Sequence, residues 1–272
     1  MIKKPLDILE ILEQSNCREC GEATCLAFAS AVSRGQRTLK ECPRLAAPVI
    51  ESFSENAGQY RGVYVPGEAY LNRLKGEIRG MDLVSAAQRT GGRMIDGRLV
   101  MKVLGKNFGV DTEGHIHTDI HINPWVAVPF LNYILYGQGI DPSGEWISYR
   151  ELKDGWEGYA IFQKRCERMI KELADNHAAL IDDIVQVFNG EEVDKQFKAD
   201  ISVVLHPLPK VPLMICYWRP DEGLDSNLNV FFDKSANHHL DTDSLFTLAV
   251  GLTQMLEKLV STHGYIEKNK IS

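Results

Sequence analysis

Four cysteines stand close together near the start of this 272-residue chain, in the pattern C-x2-C-x4-C-x16-C, and a proline follows the last of them. Each iron of a [4Fe–4S] cube needs one terminal sulfur ligand, so four thiolates brought to one point can hold such a cluster. A module of about 45 residues cannot bury much core, and metal ligation is therefore expected to organise its fold. The pattern indicates a cluster site, and with it a chain that carries electrons. The four residues are Cys17, Cys20, Cys25 and Cys42.

A zinc site is the main alternative, because zinc sites made of four cysteines also use C-x2-C pairs. Here the second half of the motif has no such pair, since Cys42 stands alone with 16 residues between it and Cys25. Three ligands within nine residues wrap a cube more naturally than a single ion. The spacing favours a cluster and leaves zinc or unligated thiols open.

The sequence after the second cysteine predicts a loop followed by a helix. Gly21 permits a backbone conformation that brings amides close to a cluster. Thr24 is a suitable cap for a helix over Cys25–Ser33 that ends at Gly35. Because a cluster bound by four thiolates is an anion, amides at the start of that helix would stabilise it.

Two further short helices are predicted around the motif. Pro5 suits the first turn of a helix, and Leu6 to Leu12 have helical spacing. The segment from Gln36 to Glu41 is expected to form a short helix that delivers Cys42, and Pro43 ends it.

Composition and charge indicate a globular protein and argue against nucleic-acid and membrane partners. Hydrophobic residues make up 44% and charged residues 25%, as in globular proteins. The formal net charge of −7 gives no global field that favours nucleic acid or an anionic membrane. We find no apolar block of the kind that signal peptides have, and no uninterrupted stretch of about 18 apolar residues, the length needed to cross a bilayer. We therefore expect a cytoplasmic protein without nucleic-acid or membrane partners.

The remaining cysteines, Cys166 and Cys216, lie far from the motif in a helix-like and a strand-like stretch. Reducing pools keep cytoplasmic thiols free, which argues against disulfides. Lone cysteines in such places are usually small core hydrophobes, so both are predicted to be buried without a chemical role.

The stretch NCRECGEATCLAFASAVSRGQRTLKECP resembles the small iron–sulfur domain at the N-terminus of the large subunit of corrinoid iron–sulfur proteins. The same module occurs in the related acetyl-CoA decarbonylase/synthase subunit. The shared features are the C-x2-C-G-x3-C core, the Cys-Leu-Ala-Phe-Ala helix start, Gly35 and the Cys42-Pro43 pair. The resemblance covers roughly residues 5 to 50. It implies a low-potential [4Fe–4S] cluster with Cys17, Cys20, Cys25 and Cys42 as ligands.

In the corrinoid proteins that cluster returns oxidised cobalt to its reactive reduced state, so the resemblance implies a corrinoid as a second cofactor or as a partner's cofactor. This chain departs from those proteins because it has no recognisable barrel or corrinoid domain. Only the electron-delivery role carries over.

The domain organisation is predicted from composition. Residues 1–50 form the cluster module, residues 51–62 have linker character, and residues 63–272 form one larger domain without internal repeats. The whole is α+β: a small helical module followed by a domain with antiparallel strands and helices on one side.

Periodicity and turn signals give the elements of that domain. Helices are predicted over 68–78, 82–87, 125–136, 159–174, 177–187 and 244–260, and strands over 93–95, 98–104, 107–110, 116–122, 201–205, 213–218 and 228–232. The last three strands are expected to be split by Pro207, Pro209, Pro212 and Pro220.

The same region resembles an uncharacterised domain family that follows this cluster module in anaerobic bacteria and archaea. The landmarks are Gly144 to Arg150, Pro207 to Pro212 and Asn229 to Asp233. That resemblance implies no activity.

Two histidine motifs and a carboxylate group are weaker candidates for chemistry. On a strand, alternate residues of GHIHTDIHIN share one face and could bind a metal, although alternation alone explains a solvated polar face. His238-His239 could offer an axial ligand, but adjacent residues point apart on a strand and such a pair is usually loop. The residues concerned are His115, His117, Asp119, His121, His238 and His239, with Glu145, Glu151 and Asp154 as scattered carboxylates.

Three functions follow from these observations. The first is a redox protein that takes electrons from a ferredoxin-like donor and delivers them to a corrinoid on the larger domain or on a partner, in reductive activation or methyl-transfer metabolism. The second is a metalloenzyme whose active site lies in the larger domain. The third is a binding protein whose cluster is structural. No catalytic residue is named by the sequence, which has no Walker loop or Ser-His-Asp spacing.

Overall fold

The computed structural model describes residues 5–33, 37–46, 49, 68–119, 122–177, 180–221 and 223–269. The chain divides into two compact units, Met1–Val65 and Pro66–Ser272. The predicted linker at 51–62 lies outside the described residues, as do Gly35 and His121.

The smaller unit is helical. Pro5 begins α1 (Pro5–Glu10), as its fixed φ favours. Helix α2 (Cys25–Ser33) has the predicted bounds, and a 3₁₀ turn covers Leu39–Glu41. Apolar side chains from these elements and the adjoining loop form one small core, which contains Ile8, Leu12, Phe28, Ala29 and Leu39.

The larger unit begins with α3 (Glu68–Ile78) and α4 (Leu83–Thr90), followed by an antiparallel four-stranded sheet. Its strands run in chain order: β1 (Arg93–Ile95), β2 (Arg98–Val103), β3 (Lys106–Val110) and β4 (Ile116–Thr118). Asp96 and Gly97 join β1 to β2 with φ of 48° and 76°. Two consecutive left-handed residues match the right-handed twist of a hairpin, which confirms the predicted turn.

A second antiparallel sheet contains the remaining strands of the larger unit in the order β5-β9-β8-β7-β6. They are β5 (Trp146–Ser148), β6 (Glu191–Glu192), β7 (Ile201–Leu208), β8 (Val211–Trp218) and β9 (Asn227–Asp233). The antiparallel sheets and the helices around them confirm the predicted α+β class.

The other helices are α5 (Pro124–Tyr136), α6 (Gly155–Phe162), α7 (Arg168–Asn176), α8 (Leu180–Phe188) and α9 (Thr242–Asn269), with 3₁₀ turns at Tyr149–Glu151 and Ala236–His238. Helix α5 is apolar on nearly every side and is buried over most of its length. It packs between α3 and α9, and one continuous core joins these helices to both sheets.

The segment from Pro207 to Pro212 was expected to be a tight connection between two strands, and β7 and β8 are joined by a tight turn. The strands are longer than predicted, so Pro207 and Pro212 lie inside β7 and β8. The pairing of these strands shifts between Leu205 and Leu208, so the ladder is irregular where Pro207 cannot donate a hydrogen bond. The turn itself is limited to Pro209 and Lys210.

The helix predicted over 159–174 also differs from the observed one. It starts earlier, at Gly155, and α6 and α7 are joined by a π-turn over Gln163–Glu167. The extra residue in this turn shifts the buried face of the helix, which periodicity of 3.6 residues could not predict.

Candidate metal centre

All four cysteines of the N-terminal motif line one pocket in the smaller unit. The open space is about 330 Å³, counting the solvent at its mouth. All four thiols are free, and each residue is partly exposed. The pocket is also lined by Leu12, Glu13, Ser15, Arg18, Glu22, Thr24, Phe28 and Arg44.

A tight turn holds the loop that carries Cys17 and Cys20. The backbone N–H of Gly21 donates to the carbonyl of Arg18 at 2.9 Å, and Gly21 has a φ of 82°. A side chain would be strained at that φ, and its Cβ would lie 3.3 Å from Nη2 of Arg37. Glycine therefore lets the chain fold back immediately after the second cysteine.

The third cysteine is the first residue of α2. The backbone N–H of Ala27 donates to Oγ1 of Thr24 at 3.0 Å, which confirms Thr24 as the predicted N-cap. Cys25 consequently stands at the helix end where backbone amides favour an anionic group.

Asn16 contacts Cys25 at two points that were not predicted from the sequence. The backbone N–H of Cys25 donates to Oδ1 of Asn16 at 2.8 Å. In return, the backbone N–H of Asn16 donates to Sγ of Cys25 at 3.3 Å. The only available signal was that asparagine tolerates the left-handed conformation, and Asn16 has a φ of 50°.

Cys42 reaches the pocket at the end of the 3₁₀ turn. Thr38 begins that turn and its backbone N–H donates to Oε1 of Glu41 at 2.8 Å. The N–H of Cys42 then donates to the carbonyl of Leu39 at 3.1 Å. A short helix was predicted here; the observed turn is shorter, and the predicted first residue, Gln36, lies outside the described residues.

The inner wall of the pocket is apolar. Cys20, Cys25 and Cys42 pack against the core of the smaller unit, in which Phe28 is only 1% exposed. Apolar backing keeps water from one side of the four sulfurs, and solvent access is one of the factors that set the properties of a bound cluster.

Arg44 supplies positive charge at the mouth of the pocket. Its guanidinium lies 2.7 Å from Oε1 of Glu19 and 3.6 Å from Oε2 of Glu13. The hydrogen bond and charge of Glu19, together with the charge of Cys17, raise the pKa of Arg44. The guanidinium thus stays protonated beside sulfurs whose ligating form is the negatively charged thiolate.

The four cysteines line one open pocket but are not drawn tightly together. Among the described residues, no group of three or more His, Cys, Asp or Glu side chains lies close enough together to hold a metal ion.

The chain matches two family profiles. Residues 82–255, more than half of the chain, match the family described as "Domain of unknown function (DUF3786)". The chain belongs to that family. Residues 12–44 match a second profile, described as "Putative Fe-S cluster", and this match spans all four cysteines. It supports an iron–sulfur cluster in the smaller unit.

Curated relatives match only part of the chain. The acetyl-CoA decarbonylase/synthase complex subunit gamma of Methanosarcina acetivorans is 34% identical over 90 residues, which cover 27% of this chain and 19% of that subunit. Subunit gamma 1 of Methanosarcina thermophila is 46% identical with the same coverage. The corrinoid/iron-sulfur protein large subunit of Moorella thermoacetica is 38% identical over 52 residues, 19% of this chain and 12% of that protein.

These comparisons confirm the resemblance seen in the sequence, for the cluster module and for the domain family that follows it. The chain spans only about a fifth of the gamma subunits it matches. No solved structure matches it significantly.

In the DUF3786 region, two of the histidines of GHIHTDIHIN, His115 and His117, contact a carboxylate that the sequence did not single out. Oδ2 of Asp111 lies 2.8 Å from Nε2 of His117 and 3.3 Å from Nδ1 of His115. Asp111 also accepts backbone N–H groups, and His115 precedes strand β4 rather than lying on it. Their structural role is to close the turn between β3 and β4.

His239 is buried and belongs to the core of the DUF3786 region. Its Nε2 donates to the carbonyl of Ile140 at 2.8 Å, and its ring packs edge-on to Tyr133. Burial lowers the pKa of this imidazole. His239 is 1% exposed, and His238 lies in a 3₁₀ turn.

The scattered carboxylates do not form an acid–base pair. Glu151 accepts from the backbone N–H and the hydroxyl of Ser148, and Glu145 pairs with Lys234 at 2.8 Å. Asp154 lies in a left-handed turn before α6.

Cys166 and Cys216 are fully buried, as predicted. Burial raises the pKa of the Cys166 thiol to about 12, so this sulfur stays protonated and unreactive.

Among the described residues, none of the helices combines the length and apolar character that a membrane-spanning segment requires.

Proposed function

We propose that this protein is an iron–sulfur redox protein in which Cys17, Cys20, Cys25 and Cys42 hold one [4Fe–4S] cluster. The observation that carries the proposal is that four free cysteines line a single pocket, although 16 residues separate Cys42 from the nearest of the other three. A cluster bound there would take up and release single electrons at low potential.

In this proposal, the residues that line the pocket bind the cluster, stabilise its charge or exclude water. The four thiolates bind iron, and Cys25 lies at the N-terminal end of α2, where the helix dipole favours negative charge. Phe28 excludes water from the inner side, whereas Arg44 offsets charge at the mouth.

The relatives extend the proposal to partners. They are subunits of an acetyl-CoA decarbonylase/synthase complex and a corrinoid/iron-sulfur protein. We infer that the electrons serve corrinoid-related metabolism: a ferredoxin-like protein would donate them, and a corrinoid bound by the DUF3786 region or by a partner would receive them.

The direct test is the metal content of full-length protein purified without oxygen. We expect about four irons and four sulfides per chain, with a broad visible absorption that dithionite bleaches. Cys42→Ser should lose most of the iron, because it removes one of four ligands. Cys216→Ala, which removes a buried thiol of the larger unit, should retain all of it. Colourless protein with one zinc per chain would refute the proposal.

The same preparation can test the corrinoid. Cobalamin added to the reduced protein should change its visible spectrum if the DUF3786 region binds a corrinoid. An unchanged spectrum would assign the corrinoid to a partner. Iron in cluster stoichiometry but resistant to every reductant would indicate a structural cluster instead of a redox one.

A further inference from the structure

Asn16 links two of the four cysteines. It immediately precedes Cys17 in the chain and forms hydrogen bonds in both directions with Cys25, nine residues away. No other pair of hydrogen bonds of this kind joins a non-cysteine residue to a motif cysteine among the described residues. The position of Asn16 therefore constrains the two ligands relative to each other.

The first of the two hydrogen bonds stabilises the start of α2. The first N–H groups of a helix have no partner within the helix. Thr24 accepts the N–H of Ala27, and Oδ1 of Asn16 accepts the N–H of Cys25 at 2.8 Å. The amide side chain thus fixes the backbone from which the Cys25 thiolate projects.

The second hydrogen bond acts on the sulfur itself. The N–H of Asn16 points at Sγ of Cys25 at 3.3 Å, and a donor of this kind stabilises negative charge on sulfur. Reduction of a cluster adds one negative charge, and hydrogen bonds to the ligating sulfurs are among the features that set its potential. This N–H should therefore raise the reduction potential.

Asparagine suits both the backbone conformation at position 16 and the hydrogen bond to the N–H of Cys25. Asn16 has a φ of 50°, a conformation that asparagine adopts more readily than most residues. Its side chain also ends in a neutral acceptor. Glycine would keep the backbone but lose the acceptor, whereas aspartate would keep the acceptor but add a charge beside an anionic site.

Resting on the cluster assignment above, we propose that Asn16 is a positioning residue that holds Cys25 against the cluster and tunes the reduction potential. It contacts a ligand of the cluster and takes no part in electron transfer itself.

The test compares Asn16→Gly and Asn16→Asp with the wild type in the full-length, anaerobically loaded protein. The readouts are iron content, the rate of iron release to a chelator, and the midpoint potential from a redox titration. Asn16→Gly should bind four irons and release them about tenfold faster, since one hydrogen bond to the ligand backbone is lost. Asn16→Asp should keep its iron and show a more negative potential, because its carboxylate opposes the incoming electron.

Gln14→Gly is the matched control. Gln14 also has a positive φ, 54°, but its side chain donates to the carbonyl of Leu9 and not to a cysteine. It should release iron and titrate like the wild type. If both Asn16 variants match the wild type in rate and potential, the role of Asn16 is overturned while the cluster stands. A wild-type protein without iron would overturn both proposals.

Discussion

Asp111 shows how one carboxylate can organise a segment rich in histidine. It accepts the backbone N–H groups of Glu113 and His115 at 3.0 and 2.9 Å, and the ring of His117 at 2.8 Å. Burial of Asp111 raises its pKa, but these hydrogen bonds outweigh burial and hold the pKa well below the usual value of 3.8. The ionised carboxylate is therefore the form that stabilises the turn between β3 and β4.

The sign of the resulting pH dependence follows from linkage. A carboxyl group with a depressed pKa in the folded state contributes stability above its unfolded pKa, and this contribution is lost as pH falls through the folded value. Asp111→Asn should lower the free energy of unfolding at pH 7 by about 1–2 kcal/mol, less than for a fully buried carboxylate. Denaturant titrations of both proteins at pH 7 and at pH 3 measure this difference in the free energy of unfolding.

The difference between wild type and Asp111→Asn should shrink below about pH 4, where the wild-type carboxylate of an unfolded chain becomes protonated. Asp225→Asn, a change of an exposed aspartate, should leave the free energy of unfolding unchanged. A deficit in Asp111→Asn that stays constant from pH 7 to pH 3 would contradict this role.

Among the elements, the π-turn between α6 and α7 carries a buried glutamate that forms a hydrogen bond with the second sheet. It places Glu167, 2% exposed, where Oε1 accepts the backbone N–H of Val230 at 3.1 Å. Strand β5 pairs with β9 only over Phe231–Asp233. Glu167 thus satisfies a backbone donor of β9 just beyond the end of its partner strand.

Glu167 should show the opposite pH dependence to Asp111. Burial raises the pKa of Glu167 and outweighs its hydrogen bonds. Because the folded value is raised, this group destabilises the fold as pH rises above its unfolded pKa of about 4.5. Glu167→Gln, which keeps an acceptor for Val230, should gain stability relative to the wild type as pH increases.

Glu167→Ala leaves the N–H of Val230 without its acceptor and should cost about 1–3 kcal/mol in urea titrations. Glu172→Ala, a change of an exposed glutamate in α7, is the control and should cost little. Equal losses for the two alanine variants would show that the π-turn does not depend on this contact.

Local signals predicted much of the fold, and contacts between distant segments account for what was missed. Thr24 and the Asp96-Gly97 pair act within a few residues, so their roles could be predicted from the sequence. Strand pairing across an irregular ladder tolerates Pro207, and Glu167 of the π-turn accepts a hydrogen bond from β9, more than 60 residues away. The spacing of the motif was enough to identify the four cysteines. The contact between Asn16 and Cys25 depends on a left-handed backbone conformation at Asn16, which sequence patterns alone do not predict.

At the scale of the molecule, the two units have separate cores of very different size. The core of the larger unit joins both sheets to α3, α5 and α9, whereas that of the smaller unit contains only a few side chains around Phe28. A core so small supplies little stability, so metal ligation should supply much of it in the smaller unit.

Removal of iron should therefore unfold one unit and spare the other. After chelation, amides of α2 should exchange hydrogen rapidly, while those of β8 and β9 keep their protection. Hydrogen exchange of loaded and stripped full-length protein measures both. Loss of protection throughout the larger unit on chelation would contradict the independence of its core.

The most direct test of the central claim is the Mössbauer spectrum of ⁵⁷Fe-loaded, full-length protein before and after reduction with dithionite. All iron should belong to one [4Fe–4S] cluster that accepts a single electron, and Cys42→Ser should abolish that signal. Iron present as isolated ions, or a cluster that persists in Cys42→Ser, would contradict the account.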